Sequence, residues 1–264
     1  MNEHAPSAGG PAGGEQPSRD PRGSSDAESR LAALTLQQEQ LAQGVAHDLR
    51  APLRAIDGFA AMLTTHAGEA LDATGRDYLQ RIRDAARRMG SLVDALQTYS
   101  RVGRAPLREA PVDLSLLAEW VATDLQDAEP DRAARVDVAP GLAVHGDEDL
   151  LRELLRQLLD NAWKFSAPRE RVEVRVEGER DGDRLRLRIR DQGVGFDMQY
   201  VGKLFQPFQR LHGTEQGAGA GFGLAIAQCI AHRHGGRIHA ESVSGEGSVF
   251  HVELPAGGDP ETAA

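Results

Sequence analysis

Residues 148–165, EDLLRELLRQLLDNAWKF, and residues 172–191, VEVRVEGERDGDRLRLRIRD, carry two different hydrophobic periods one after the other. In the first, apolar side chains return at three- and four-residue steps, as on an amphipathic helix. In the second, Val172, Val174 and Val176, then Leu185, Leu187 and Ile189, alternate with polar residues, as in strands with one covered face. Asp181-Gly182-Asp183 between the two runs predicts a hairpin turn. Working outward, Leu114 to Leu125 and Phe222 to His234 read as helices. Ile238 to Ala240 and Phe250 to Leu254 read as strands around a Ser244-Gly245-Glu246-Gly247 turn. Helices and strands gathered on one sheet predict an α+β sandwich.

Upstream the period is helical throughout. Leu31, Leu34, Leu41, Val45, Leu49, Leu53, Ile56, Ala60 and Leu63 form one stripe, ending near Thr65. After a turn-like stretch, His66 to Gly75, a second stripe joins Tyr78, Ile82, Ala85, Met89, Leu92, Leu96 and Tyr99 at alternating steps of four and three, a coiled-coil-like spacing. Two helices cannot cover both stripes, whereas two hairpins related by a two-fold axis make a four-helix bundle. A homodimer is therefore expected; the alternative is a hairpin packed on the rest of its own chain. Residues 1–29, with fourteen Gly, Pro and Ser, read as a disordered tail. The expected domains are the hairpin at 30–102, a hinge at 103–111 containing two prolines, a sandwich at 112–256 and a second tail at 257–264.

The formal charge of −10 disfavours a nucleic-acid or anionic-membrane partner. From that charge no nucleic-acid binding is expected, and because no apolar run reaches the ~18 residues of a membrane-spanning helix, no membrane insertion is expected either. Cys229 is the one cysteine, which rules out an intramolecular disulfide framework and suits a reducing, cytoplasmic location. Only Lys164 and Lys203 are lysines among thirty basic residues, which singles those positions out.

Several clusters break these patterns. His47-Asp48-Leu49-Arg50-Ala51-Pro52-Leu53 puts an imidazole off the apolar stripe beside a carboxylate. Asp48 can hold the ring's tautomer and take its proton, leaving a nucleophile, and Pro52 predicts a bend just after it. Asp191-Gln192-Gly193-Val194-Gly195-Phe196 ends the second hairpin strand; its glycines admit close backbone approach, and Asp191 can accept from an exocyclic amine. Gly217-Ala218-Gly219-Ala220-Gly221-Phe222-Gly223-Leu224 opens a helix, offering free N–H groups to phosphates. In Leu158 to Ser166, Asn161 supplies a hard oxygen ligand for Mg²⁺, and Lys164 shares its helix face.

In this order and at these separations the clusters resemble the histidine kinases of two-component systems, over about residues 35–255. His47 to Leu53 is similar to the phosphoacceptor box, Leu158 to Ser166 to the asparagine box, and Asp191 to Gly195 to the first glycine box. Lys203 to Arg210 resembles the phenylalanine box and Gly219 to Leu224 the second glycine box. HDLRAPLRAIDGF and FQRLHGTE resemble the soluble branch that contains phytochrome-type kinases.

The resemblance implies a dimeric helical phosphotransfer domain, then an ATP-binding α+β sandwich of the type shared by gyrase, Hsp90, histidine kinases and MutL. It implies that His47 is phosphorylated from ATP, with Asp48 assisting, and that the phosphoryl group passes to an aspartate of a response-regulator receiver domain. Asn161 would hold Mg²⁺, Lys164 and Arg210 the phosphates, and Asp191, Gly193 and Gly195 the adenine. Gly219, Gly221, Gly223 and Leu224 would line the phosphate cradle. Gly202 to Gly219 would form a lid, with Phe205 and Phe208 packing its hinge.

Three positions depart from the family pattern: Gln157 stands for Asn, Ala220 for Thr, and Ala51 for a residue able to position water. The last predicts weak phosphatase activity. A dimeric nucleotide-binding scaffold that docks a regulator is the competing reading. About thirty residues read as disordered stand where a sensor module is usual, so the signal is expected either from a separate sensor protein in trans or from the rest of a longer protein of which this chain is a fragment.

Overall fold

The computed structural model describes residues 44, 46, 48–68, 70–209 and 220–256, all within one compact unit, Ala42–Ala264. The expected tails, the first helix before residue 44, and three expected site residues, His47, Arg210 and Gly219, lie outside the described residues.

Helix α1 (48–67) stays helical through Pro52, and α2 (Ala73–Val102) follows a short turn. Asp72 caps α2 by accepting from the Gly75 N–H at 2.7 Å, which satisfies one of the donors a helix start leaves free. The two helices are tied by Arg50 Nε to Asp94 at 3.0 Å and Arg83 Nε to Asp57 at 3.2 Å. Their shared buried cluster is small: Ala46, Leu53 and Val93.

The rest is a two-layer α/β arrangement. Strand β1 (Glu109–Asp113) leads into α3 (Leu114–Ala128), β2 (Ala134–Val138), β3 (Ala143–Asp147) and α4 (Glu148–Phe165). Hairpin β4 (Val172–Asp181) and β5 (Arg184–Asp191) comes next, then a 3-10 turn (Met198–Tyr200) and the single-turn α5 (Val201–Leu204). Helix α6 (Gly223–Arg233) and strands β6 (Arg237–Val243) and β7 (Gly247–Pro255) complete it. The main sheet runs β2-β4-β5-β7-β6, antiparallel except for the β2–β4 pair, while β1 and β3 form a separate two-stranded sheet.

One face of α4 supplies Leu151, Leu154, Leu155, Leu158 and Leu159, each at most 1% exposed. They belong to one buried cluster with the inner residues of the sheet, Val172, Val176, Leu187, Ile189 and Val252 among them. Asp147 caps α4 by accepting from the Leu150 N–H, and its own N–H donates to Nε2 of the buried His234. Burial opposes ionisation of Asp147, but the N–H groups of Arg108 and Leu150 and the nearby His234 outweigh it and hold its pKa below the usual carboxylate range.

The sequence reading missed β1, β2 and β3. Each has five residues, and β1 and β2 are too exposed to alternate. Glu109 to Pro111, the end of the expected hinge, pair with Asp147 to His145 as part of β1; backbone pairing needs no apolar side chain, so periodicity gave no sign of it. Among the described residues no helix is long and apolar enough to cross a membrane.

Candidate functional site

Strand β5 buries every second residue, Leu185, Leu187, Ile189 and then Asp191. The pleat therefore carries a carboxylate into a position that would otherwise be core. Asp191 is 4% exposed. Its Oδ1 accepts from the N–H of Gly193 at 2.8 Å and of Ser248 at 3.2 Å. Burial raises its pKa to about 6, against the lowering effect of those two bonds. The chain then turns sharply: Gly195 has φ +61°, and a Cβ there would lie 2.1 Å from the Val243 carbonyl oxygen, so only glycine fits.

Asp191 lines a cavity of about 390 Å³ bounded by α4, α6, the glycine turn and α2. From the last two turns of α4 come Gln157, Asp160, Asn161 and Lys164. Lys164 bonds Asp160, one helical turn back. From the other side come Ala220, Gly221, Gly223 and Leu224, at the start of α6. Phe222 occupies the N-cap position without a side-chain capping bond, so among the described residues no side-chain cap competes with an anion for the first-turn N–H groups. A Cβ on Gly223 would meet the Gln157 amide oxygen at 2.7 Å, which shows how closely the two helices approach here. Phe196, Ile226 and Phe250 give the cavity an apolar wall.

The remaining wall belongs to the helical hairpin. Ser91, Asp94, Ala95 and Thr98 of α2 line the same cavity, and their spacing places them on one helix face. The end of α2 is fastened by Arg233, which donates to the carbonyls of Val102 and Ala105, and by Tyr99, whose ring lies 5.9 Å from Phe222.

Thus Asn161, Lys164, Asp191, Gly195, Gly221, Gly223 and Leu224 are brought together, and Gly193 stands behind them as a donor to Asp191. Phe205 and Phe208 do not line the cavity. Phe205 packs against the core, and Phe208, with φ +64°, meets Phe222 edge-on at 4.5 Å. Asp48 is exposed on α1.

Two contributions escaped the sequence reading. Ser248 reaches Asp191 across 57 residues of chain, which no local pattern reveals. Arg169 donates to the carbonyls of Gln192 and Gly193, each at 3.0 Å, and to that of Gly245, fixing the glycine turn from behind. Its position just past the asparagine-containing helix was the only available sign.

Comparison with known proteins gives two family matches. Residues 146–258 match the histidine kinase-, DNA gyrase B- and HSP90-like ATPase family, and residues 37–105 match the His Kinase A (phospho-acceptor) domain. The chain is 29% identical over 211 residues to the phytochrome-like protein Cph1 of Synechocystis sp., covering 80% of this chain and 28% of that protein. It is 34% identical over 226 residues to the sensor histidine kinase TrcS of Mycobacterium tuberculosis, covering 83% of this chain and 44% of that protein. The crystal structure of full-length ShkA in complex with AMPPNP matches with a TM-score of 0.60 at 28% identity, over 82% of this chain and 45% of that one. The chain thus spans less than half the length of these relatives.

Proposed function

The chain belongs to the histidine kinases of two-component systems, and from that premise we propose that it uses ATP to phosphorylate its own His47 and passes the phosphoryl group to an aspartate of a response-regulator receiver domain. The observation that carries the nucleotide part is the convergence, on one cavity, of a buried carboxylate and an uncapped, glycine-rich helix start. A carboxylate with Oδ1 already bonded to two backbone N–H groups has its other oxygen left to accept an exocyclic amine, as adenine presents. Helix N–H groups opposite it suit phosphate oxygens. The AMPPNP bound by the similar ShkA supports the same reading.

In this proposal Asp191, with Gly193 and Gly195, orients the adenine, and the start of α6 with Gly219, Gly221, Gly223 and Leu224 cradles the phosphates. Lys164 and Arg210 neutralise phosphate charge. Asn161 fits Mg²⁺, because it lines the cavity and its side-chain amide carries an oxygen of the kind that ion prefers. When bound, Mg²⁺ supplies charge neutralisation on the triphosphate. The His47 imidazole attacks the γ-phosphorus in line; an N–P bond forms, the bridging P–O bond breaks, and ADP leaves. Asp48 holds the ring and takes its proton. In the second step the N–P bond breaks as an aspartate oxygen of the receiver bonds to phosphorus.

The homodimer is part of the same proposal. Ile56, Phe59, Met62 and Leu63 of α1 and Tyr78, Ile82 and Met89 of α2 are exposed, and a second hairpin would cover them.

Incubation with γ-labelled ATP and Mg²⁺ is the test. Acid-labile, alkali-stable label on the chain is expected, absent from His47→Gln while ATP binding persists. Acid-stable label, or label retained by His47→Gln, overturns the proposal; ATP binding without any label leaves a nucleotide-binding scaffold.

A further inference from the structure

The outer face of the sheet, turned away from the cavity, carries a cluster that the kinase reading does not use. His239 on β6 and His251 on β7 are direct cross-strand partners. Their rings are stacked, with centroids 4.5 Å apart and 2° between planes. Glu241, two residues along β6 on the same face, brings a carboxylate oxygen to 3.8 Å from His251 Nε2. One ligand atom from each of the three lies within 4.8 Å of the others.

We propose that His239, His251 and Glu241 form a binding site for a divalent transition-metal ion of the Zn²⁺ class. Opposed residues on antiparallel strands start about 5 Å apart at Cβ, so once a ring turns out of the stack two imidazoles there can converge on an ion with bonds of about 2 Å. The Nε2 of His251 is buried yet has no hydrogen-bond partner, an unusual state for a ring nitrogen unless something else uses its lone pair. Burial, the neighbouring His239 and Arg188 push the His251 pKa down, against Glu241.

The neighbours on this face sort themselves accordingly. Glu253 is engaged by Arg237 at 2.7 Å and by Arg186, so it is not available. Glu241 pairs with no arginine or lysine among the described residues, and its charge offsets that of Arg188, which sits opposite His251 on β5. Two imidazoles and one carboxylate favour Zn²⁺ over Mg²⁺, which prefers oxygen ligands. This site is therefore chemically distinct from the one proposed for Mg²⁺.

Calorimetric titration of the whole chain with Zn²⁺, in excess Mg²⁺ at pH 7.5, tests the site. One equivalent is expected, with affinity reduced at least tenfold by His239→Ala and by His251→Ala, less by Glu241→Gln, and with nucleotide binding unchanged in all three. In the unaltered chain, Zn²⁺ should shift the imidazole resonances of two histidines. Absence of saturable binding, parental affinity in the double variant His239→Ala/His251→Ala, or a shift confined to other histidines overturns the proposal.

Discussion

Helices α2 and α4 are both amphipathic, yet they end in opposite situations. Of the eighteen residues of α4, Leu150, Leu151, Leu154, Leu155, Leu158, Leu159, Ala162 and Trp163 are buried. Of the thirty in α2, only Ala86, Val93 and Val102 are. Helix α4 finds a sheet and two other helices within its own chain, whereas among the described residues the first part of α2 is tied to α1 and its last turns reach α6. The half that is closed in one chain supplies most of the cavity wall, and one face of α2 supplies the rest. The half left open exposes apolar residues such as Phe59 and Ile82, which the proposed homodimer would cover.

The largest effect should come from attacking the closed half. Leu158→Asp places an unpaired charge where the side chain is 0% exposed, so loss of the folded domain is expected, a cost above about 4 kcal/mol. Thermal unfolding followed by circular dichroism reads it; an unchanged melt would break the comparison.

Phe59→Asp attacks the open half. Phe59 is 66% exposed in the single chain, so the sandwich should melt as before. Light scattering should instead show dissociation to a monomer, with the dimer Kd raised roughly a hundredfold, equivalent to about 3 kcal/mol.

Asp191→Asn sharpens the comparison inside the closed half, by asking whether a buried charge lowers stability there in exchange for ligand binding. The folded pKa of about 6 lies above the ordinary carboxylate value, so the folded state binds this proton more tightly. The resulting stabilisation is complete below pH ~4 and is lost as pH rises through about 6, a change of up to about 3 kcal/mol that the Asn variant should lack. For an ATP analogue, wild-type affinity should fall about tenfold per pH unit below pH ~6, where the acceptor becomes protonated. The variant should bind more weakly at pH 7.5 and show no such slope. Calorimetry across pH checks both.

Arg169→Ala is the mildest. Losing the donors to the carbonyls of Gln192, Gly193 and Gly245 should cost about 1–2 kcal/mol, and nucleotide affinity should drop because the turn around Asp191 loosens. A lower melting temperature with unchanged affinity would make the residue purely structural.

Much of the closed half was legible in advance, for local reasons. The range Glu148–Phe165 agrees with the sequence reading because Asp147 caps its start and the apolar period stops at its end. The β4–β5 hairpin was legible through strict alternation around a glycine-containing turn. The short strands β1 and β2 were not, since their partners supply backbone pairing rather than a covered apolar face. Within the site, Asn161, Lys164 and Asp191 stood out as polar residues interrupting apolar runs. Ile226 and Phe250 did not, because an apolar residue lining a cavity has the same period as one filling a core.

The amino-acid sequence by itself determined the types of the longer elements, the order of the motifs and the family, since each is written in spacings between near neighbours along the chain. Only the tertiary structure decided that Asp191 is buried with a raised pKa, that a face of α2 closes the cavity, and that His239 and His251 stand side by side. Those facts depend on strand register and helix docking, which join residues far apart in the chain and leave no local period to read.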